Sequence, residues 1–212
     1  MRSFVHAAVL AAGLVAALPA AGQERLVPRS EFFFEAYAGT TRPITAERGS
    51  GDAVIERLGK TIARSPRNAE AVAHLAHIAM EAGRPELGRE LYGRALGLVG
   101  SSHALYRPLR WNYGWDLYRT VDAGGALEQW QALVADRGVT AVWMPPTFSL
   151  VMWTLDRREE AVQWYAAAVR SEPALWTTTE RHAELLPEWR PGEIAILGEV
   201  QQAWQQDPPE WP

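Results

Sequence analysis

The chain has 212 residues, 48% of them hydrophobic and 22% charged, with a formal net charge of −4. Such a balance supports one folded core and lacks the basic block that a nucleic-acid partner would require. There is no cysteine, which excludes disulfides, a thiol nucleophile and the acylated cysteine of a lipoprotein.

The first 22 residues read as a signal peptide. Arg2 supplies the positive start, an apolar run extends from Ala7 to Leu18, and Pro19-Ala20-Ala21-Gly22 offers small residues for cleavage after Ala21 or Gly22. The run is well short of the roughly 20 residues needed to cross a bilayer, and Glu, Arg, Asp or Gln interrupts every later apolar stretch. The expectation is a periplasmic or secreted protein with no membrane insertion after cleavage. Residues 23–51 are irregular, punctuated by Pro28, Gly39, Pro43, Gly49 and Gly51. Phe32-Phe33-Phe34 is too apolar for a free tail, so it is expected to dock on the first helices, and the groove described below is one place it could fill.

From Asp52, read as a helix cap, the pattern turns helical and stays so. It also repeats. One copy reads Leu75-Ala76-x-x-Ala79, a turn at Gly83, then Gly88-x-x-x-Tyr92-x-x-Ala95. A second reads Tyr113-Gly114-x-x-Leu117, then Ala126-x-x-x-Trp130-x-x-Leu133. A third reads Phe148-Ser149-x-x-Met152, a turn at Asp156, then Ala161-x-x-x-Tyr165-x-x-Ala168, with Pro173 behind it. Gly88, Ala126 and Ala161 stand 38 and 35 residues apart. The alternation of small and large residues lets paired helices cross closely while rings fill the space beside each crossing.

This pattern resembles the tetratricopeptide repeat family, whose period is about 34 residues. The resemblance covers residues 52–173, with a half-copy from Asp52 to Ser65. The copies are degenerate: Gly88 stands where Ala is usual, Leu133 where a small residue is expected, and Gly100 where a closing Pro would stand. What it implies is an all-α, right-handed α-solenoid of about three helix pairs. Residues 174–206 are read as C-terminal capping helices: Thr177-x-x-Glu180 as a capping box, then a last helix with Ile194, Leu197, Val200 and Trp204 on one side. Glu193, Glu199, Gln202 and Gln205 make its other side polar. Residues 207–212 form a Pro-rich tail.

Candidate chemistry is sparse. Glu70, His74, His77 and Glu81 share one helix face, but their spacing is not that of a zinc protease, and a solvated polar face is the simpler account. They make at best a weak metal-binding face. Nucleophile elbows and phosphate loops are missing, so no catalytic residue and no cofactor is expected and the chain is not read as an enzyme. The aromatic residues say more. All ten Trp lie from Trp111 onward, and Trp111, Trp115 and Tyr118 form a stripe at helical spacing. In the family resembled, first helices line a concave groove. Carried onto this chain, Trp111, Trp115, Tyr118 and Trp153 would face it, with His77 beside them and Arg119 near by. The functional expectation is a scaffold or adaptor holding a peptide segment or partner protein in that groove. A cell-envelope glycan bound on the same Trp faces is the alternative, and a structural subunit of an envelope complex a third.

Overall fold

The computed structural model describes residues 25–28, 39–137 and 141–210. The leader, Phe32-Phe33-Phe34 and Trp211 lie outside these residues. Among the described residues the chain is all helical, without strands. None of the helices among the described residues is long and apolar enough to cross a membrane.

Helix α1 (Asp52–Arg64) starts one residue differently from the sequence expectation. Gly51, with φ of 72°, takes the cap position, and Asp52 is the first helical residue. A left-handed φ suits glycine, and the Asp52 charge then sits at the positive end of the helix. Helix α2 (Ala69–Glu81) is capped by the Asn68 side chain, which accepts from the Ala71 N–H at 3.0 Å. Helices α3 (Pro85–Gly97) and α6 (Met144–Thr154) carry Pro in their first turn, where the missing N–H costs nothing. Helices α4 (Tyr106–Arg119), α5 (Ala123–Arg137) and α7 (Arg158–Ser171) complete the repeated part.

Three hairpins result: α2 on α3, α4 on α5, and α6 on α7, with α4 touching both helices of the first pair and α5 touching α6. Their turns share one geometry. Gly83, Val121 and Asp156 adopt φ of 70°, 66° and 60°. In each case the next residue's N–H (Arg84, Asp122, Arg157) donates five residues back, to Ala79, Leu117 and Met152, all at 2.9 Å. That bond, with its left-handed residue, closes a helix by satisfying a terminal carbonyl. The positive φ is free for Gly83 and costly for the β-branched Val121, which is also 96% exposed.

The small residues act at the crossings. A Cβ added at Gly88 would overlap the Met80 side chain, and one at Gly114 would overlap the Trp130 indole. A side chain at 88 would have to displace Met80, so glycine here fits its crossing rather than weakening the pattern. Tyr92, Trp130 and Tyr165, at matching positions of the three hairpins, are fully buried and join one continuous core. A smaller cluster of Val54, Leu58 and Ala71 holds α1 to α2.

Beyond α7 the chain departs from expectation. Thr177 ends the short helix α8 (Pro173–Trp176) instead of starting one, its hydroxyl donating to the Pro173 carbonyl. Helix α9 (His182–Leu185) is a single turn, and α10 (Pro191–Gln206) packs on α6 and α7. Leu197 and Val200 enter the core as expected. Glu193 does not lie on a polar outer side: it is buried, closing the start of α10 through the Arg190 N–H and pairing with Arg119.

Candidate functional site

Two stretches of the chain lie across the hairpins and define the candidate site. Residues 40–47 run without regular structure past α2 and α4, the first helices of two hairpins. Arg107 donates to the Thr40 hydroxyl (2.9 Å), the Asn112 amide donates to the Arg42 carbonyl (2.9 Å), and the Glu47 N–H donates to His74 Nδ1 (3.3 Å). Ile44 is buried between these anchors. The second stretch, from Leu185 into α10, crosses the C-terminal ends of the same helices. Arg190 pairs with Glu81 at the end of α2 (3.0 Å). Glu193 takes both arms of Arg119 at the end of α4 (2.9 and 3.1 Å), and Glu199 accepts from the Trp153 indole of α6 (2.8 Å).

Between the two stretches lies a cleft of about 690 Å³, within the size range of ligand sites. Its walls come from α4, the start of α6, the end of α7, Trp176, and the chain from Leu185 to Trp189. Five indoles face it: Trp111, Trp115, Trp143, Trp176 and Trp189. They meet mostly edge to face. Trp111 and Trp143 have ring centroids 4.8 Å apart at 64°, Trp115 and Trp189 are 5.2 Å apart at 68°, and Trp111 and Trp115 are 5.8 Å apart at 80°. Such edge-to-face contacts suit the ring quadrupoles.

Four residues of the sequence-predicted set therefore line this cleft: His77, Trp111, Trp115 and Arg119. Tyr118 and Trp153 do not. Tyr118 packs edge-on to Trp115, and its hydroxyl bonds Thr154 Oγ1 at 2.8 Å. Trp153 is held by Glu199, with the Arg158 guanidinium 3.9 Å above its ring. The open groove expected along the first helices is thus narrowed from both sides. A periodic reading had no means of finding Trp176 and Trp189, because they come from segments outside the repeat. Trp143 sits before α6, off the helical stripe that marks Trp111 and Trp115.

The polar wall is organised around Asp116, which is 4% exposed. The His77 Nδ1–H donates to both its oxygens (2.9 and 3.0 Å), and the Tyr92 hydroxyl donates to Oδ2 at 2.6 Å. The bond to Asp116 holds the His77 imidazole above its ordinary range, against the opposing pull of burial. The Tyr92 hydroxyl is pushed well up, by burial first and by the nearby carboxylate next. Arg119 lies over the Trp115 ring at 4.9 Å while it pairs with Glu193.

The weak metal-binding face is divided among other partners. Glu70 lies 3.5 Å from Arg42, His74 accepts from the Glu47 N–H, His77 is turned to Asp116, and Glu81 pairs with Arg190. Among the described residues no three His, Asp or Glu side chains are grouped to hold an ion. His74 is held below its ordinary range, chiefly by burial and next by His77. His182 is fully buried, with Nε2 2.9 Å from the Tyr165 hydroxyl, and burial lowers it too. No protein-family model matches the chain, and no curated protein is similar to it. The cleft's own chemistry is what bears on function: aromatic walls, a few polar groups, and hydrogen bonds of the Asn112 amide to backbone.

Proposed function

We propose that this chain is an exported binding protein, a short right-handed solenoid of tetratricopeptide type, which holds a peptide segment of a partner in its tryptophan-lined cleft. The solenoid reading rests on the repeated sequence pattern together with the matching turns at Gly83, Val121 and Asp156. The export reading rests on the leader sequence.

The observation that carries the binding reading is the convergence of five Trp on one cleft of about 690 Å³. Indoles that are fixed by their neighbours form anchor pockets at little entropic cost, which is why Trp dominates binding hot spots. Edge-to-face walls make notches for proline, aliphatic or aromatic side chains. A peptide presents side chains of this kind in series, which is why we favour a peptide ligand over a glycan.

The test is retention of a phage-displayed random heptapeptide library on the full chain, with Trp189→Ala and Trp153→Ala side by side. Trp189 stands partly exposed at the cleft mouth and Trp153 lies outside the lining. Enrichment that is lost with Trp189→Ala and kept with Trp153→Ala supports the reading. Equal enrichment on both variants, or saturable quenching of Trp fluorescence by peptidoglycan fragments with no peptide retained, overturns it.

A further inference from the structure

The charge of the cleft narrows the ligand class, on the footing that the cleft binds peptide as proposed above. Among the described residues its lining holds two basic side chains, His77 and Arg119. Both are already engaged by the chain's own acids. His77 faces Asp116, and Arg119 is clasped by both oxygens of Glu193. Two further carboxylates stand in the lining, Glu172 at the end of α7 and Glu188 before Trp189. Both residues are exposed, and among the described residues neither side chain has a hydrogen-bond or ion-pair partner. Among the described residues, then, Glu172 and Glu188 place unpaired carboxylates in the lining beside aromatic rings.

A helix end adds to their charge. Ala168, Ser171 and Glu172 place the C-terminal turn of α7 in the cleft wall. Pro173 follows directly and has no N–H to offer the Val169 carbonyl four residues back. The negative end of the α7 dipole is therefore part of the site. Around these groups the surface is apolar, with Pro43, Pro145, Pro146 and Pro187 between the indoles. A cation alone would leave those walls uncovered, and an anionic ligand would meet only neutralised Arg119 and His77.

We infer that the cleft selects a peptide segment in which an Arg or Lys side chain is flanked by apolar residues. The cationic group lies against the indole faces with Glu172 and Glu188 beside it, and the flanking residues cover the proline-lined walls. Cation–π and surface charge pairs each contribute modestly, and together they favour a basic over an acidic residue by on the order of tenfold.

The experiment is sequencing of the heptapeptides retained on the full chain, on the Glu172→Gln/Glu188→Gln double variant, and on the full chain at high salt. Support is an enrichment of Arg and Lys over Asp and Glu of about tenfold relative to the input library, between apolar neighbours. That enrichment should collapse in the double variant and weaken in salt, while apolar residues stay enriched. Retained peptides without charge bias, or with acidic bias, overturn this inference and leave the binding site itself standing. No retained peptide at all overturns both. A competition arm separates the sources of the cation: if free arginine amide displaces a retained peptide at concentrations close to that peptide's own Kd, the ligand is a small cation and the peptide assignment falls.

Discussion

The three hairpins and the two segments that cross them are built on different principles. Each hairpin is made by local rules: a left-handed turn residue, a small residue at the crossing, a ring beside it. The crossing segments, residues 40–47 and 185–193, have little regular structure. They are held by side chains reaching to backbone and by ion pairs such as Arg119 with Glu193. The hairpins set where the site can be, and the segments set its size and charge. The hairpins alone would leave more of α2, α4 and α6 open, and the two crossing segments cover part of these helices and leave a cleft.

The sharpest way to break the comparison is at a crossing. Gly114→Ala puts a methyl group into the Trp130 indole, and the protein should lose about 3 kcal/mol of stability by urea denaturation. Gly93→Ala, at an open position in α3, should change stability little or raise it by up to about 1 kcal/mol. Equal effects would mean that the hairpins tolerate wider spacing than their contacts imply.

A change in the crossing segment should act differently. Glu193→Ala leaves the partly buried Arg119 without its carboxylate and should cost about 2 kcal/mol. It should also speed proteolytic cleavage between Leu185 and Arg190, with the hairpins still resistant. Cleavage spread evenly along the chain would show that hairpins and segments unfold as one unit. Smaller and opposite in sign is Val121→Gly, which relieves a left-handed valine at an exposed turn. It should stabilise by about 1 kcal/mol, seen as a rise in the urea midpoint.

The smallest expected effect is the pH response of the polar wall. The Asp116 carboxylate holds His77 above the ordinary imidazole value of 6.5, so its pairing with Asp116 is fully present below 6.5 and is lost as pH rises through the raised value. His74 and His182 are held below 6.5, so folding opposes their protonation and stability declines as pH falls below 6.5. His77→Asn should flatten the alkaline side of the urea-midpoint profile and leave the acid side in place. A profile unchanged on both sides would count against the His77–Asp116 pairing as a source of stability.

Much of the scaffold was legible in the sequence because its causes are local. The turns at Gly83 and Asp156 announce themselves by residue type, and Gly88, Ala126 and Ala161 mark the crossings. Val121 gave no such signal, since valine is a poor residue for a left-handed turn and only the surrounding hairpin holds it there. The cleft was half legible. Helical spacing puts Trp111 and Trp115 on one stripe, and the family resemblance is what turned that stripe, with His77 and Arg119 beside it, toward a groove. Trp153 was misplaced because its face is decided by α10, more than 40 residues further along the chain.

By itself, then, the sequence determined the helical class, the turns at Gly83 and Asp156 and the small-on-large crossings, since each depends on neighbours within a few turns of helix. Tertiary structure alone decided which indoles share a cleft, that Asp116 holds His77, and that Arg119 is neutralised by Glu193. These pairings join residues tens of positions apart through segments that follow no period. Their partners are chosen by where the folded hairpins leave room and unmatched charge.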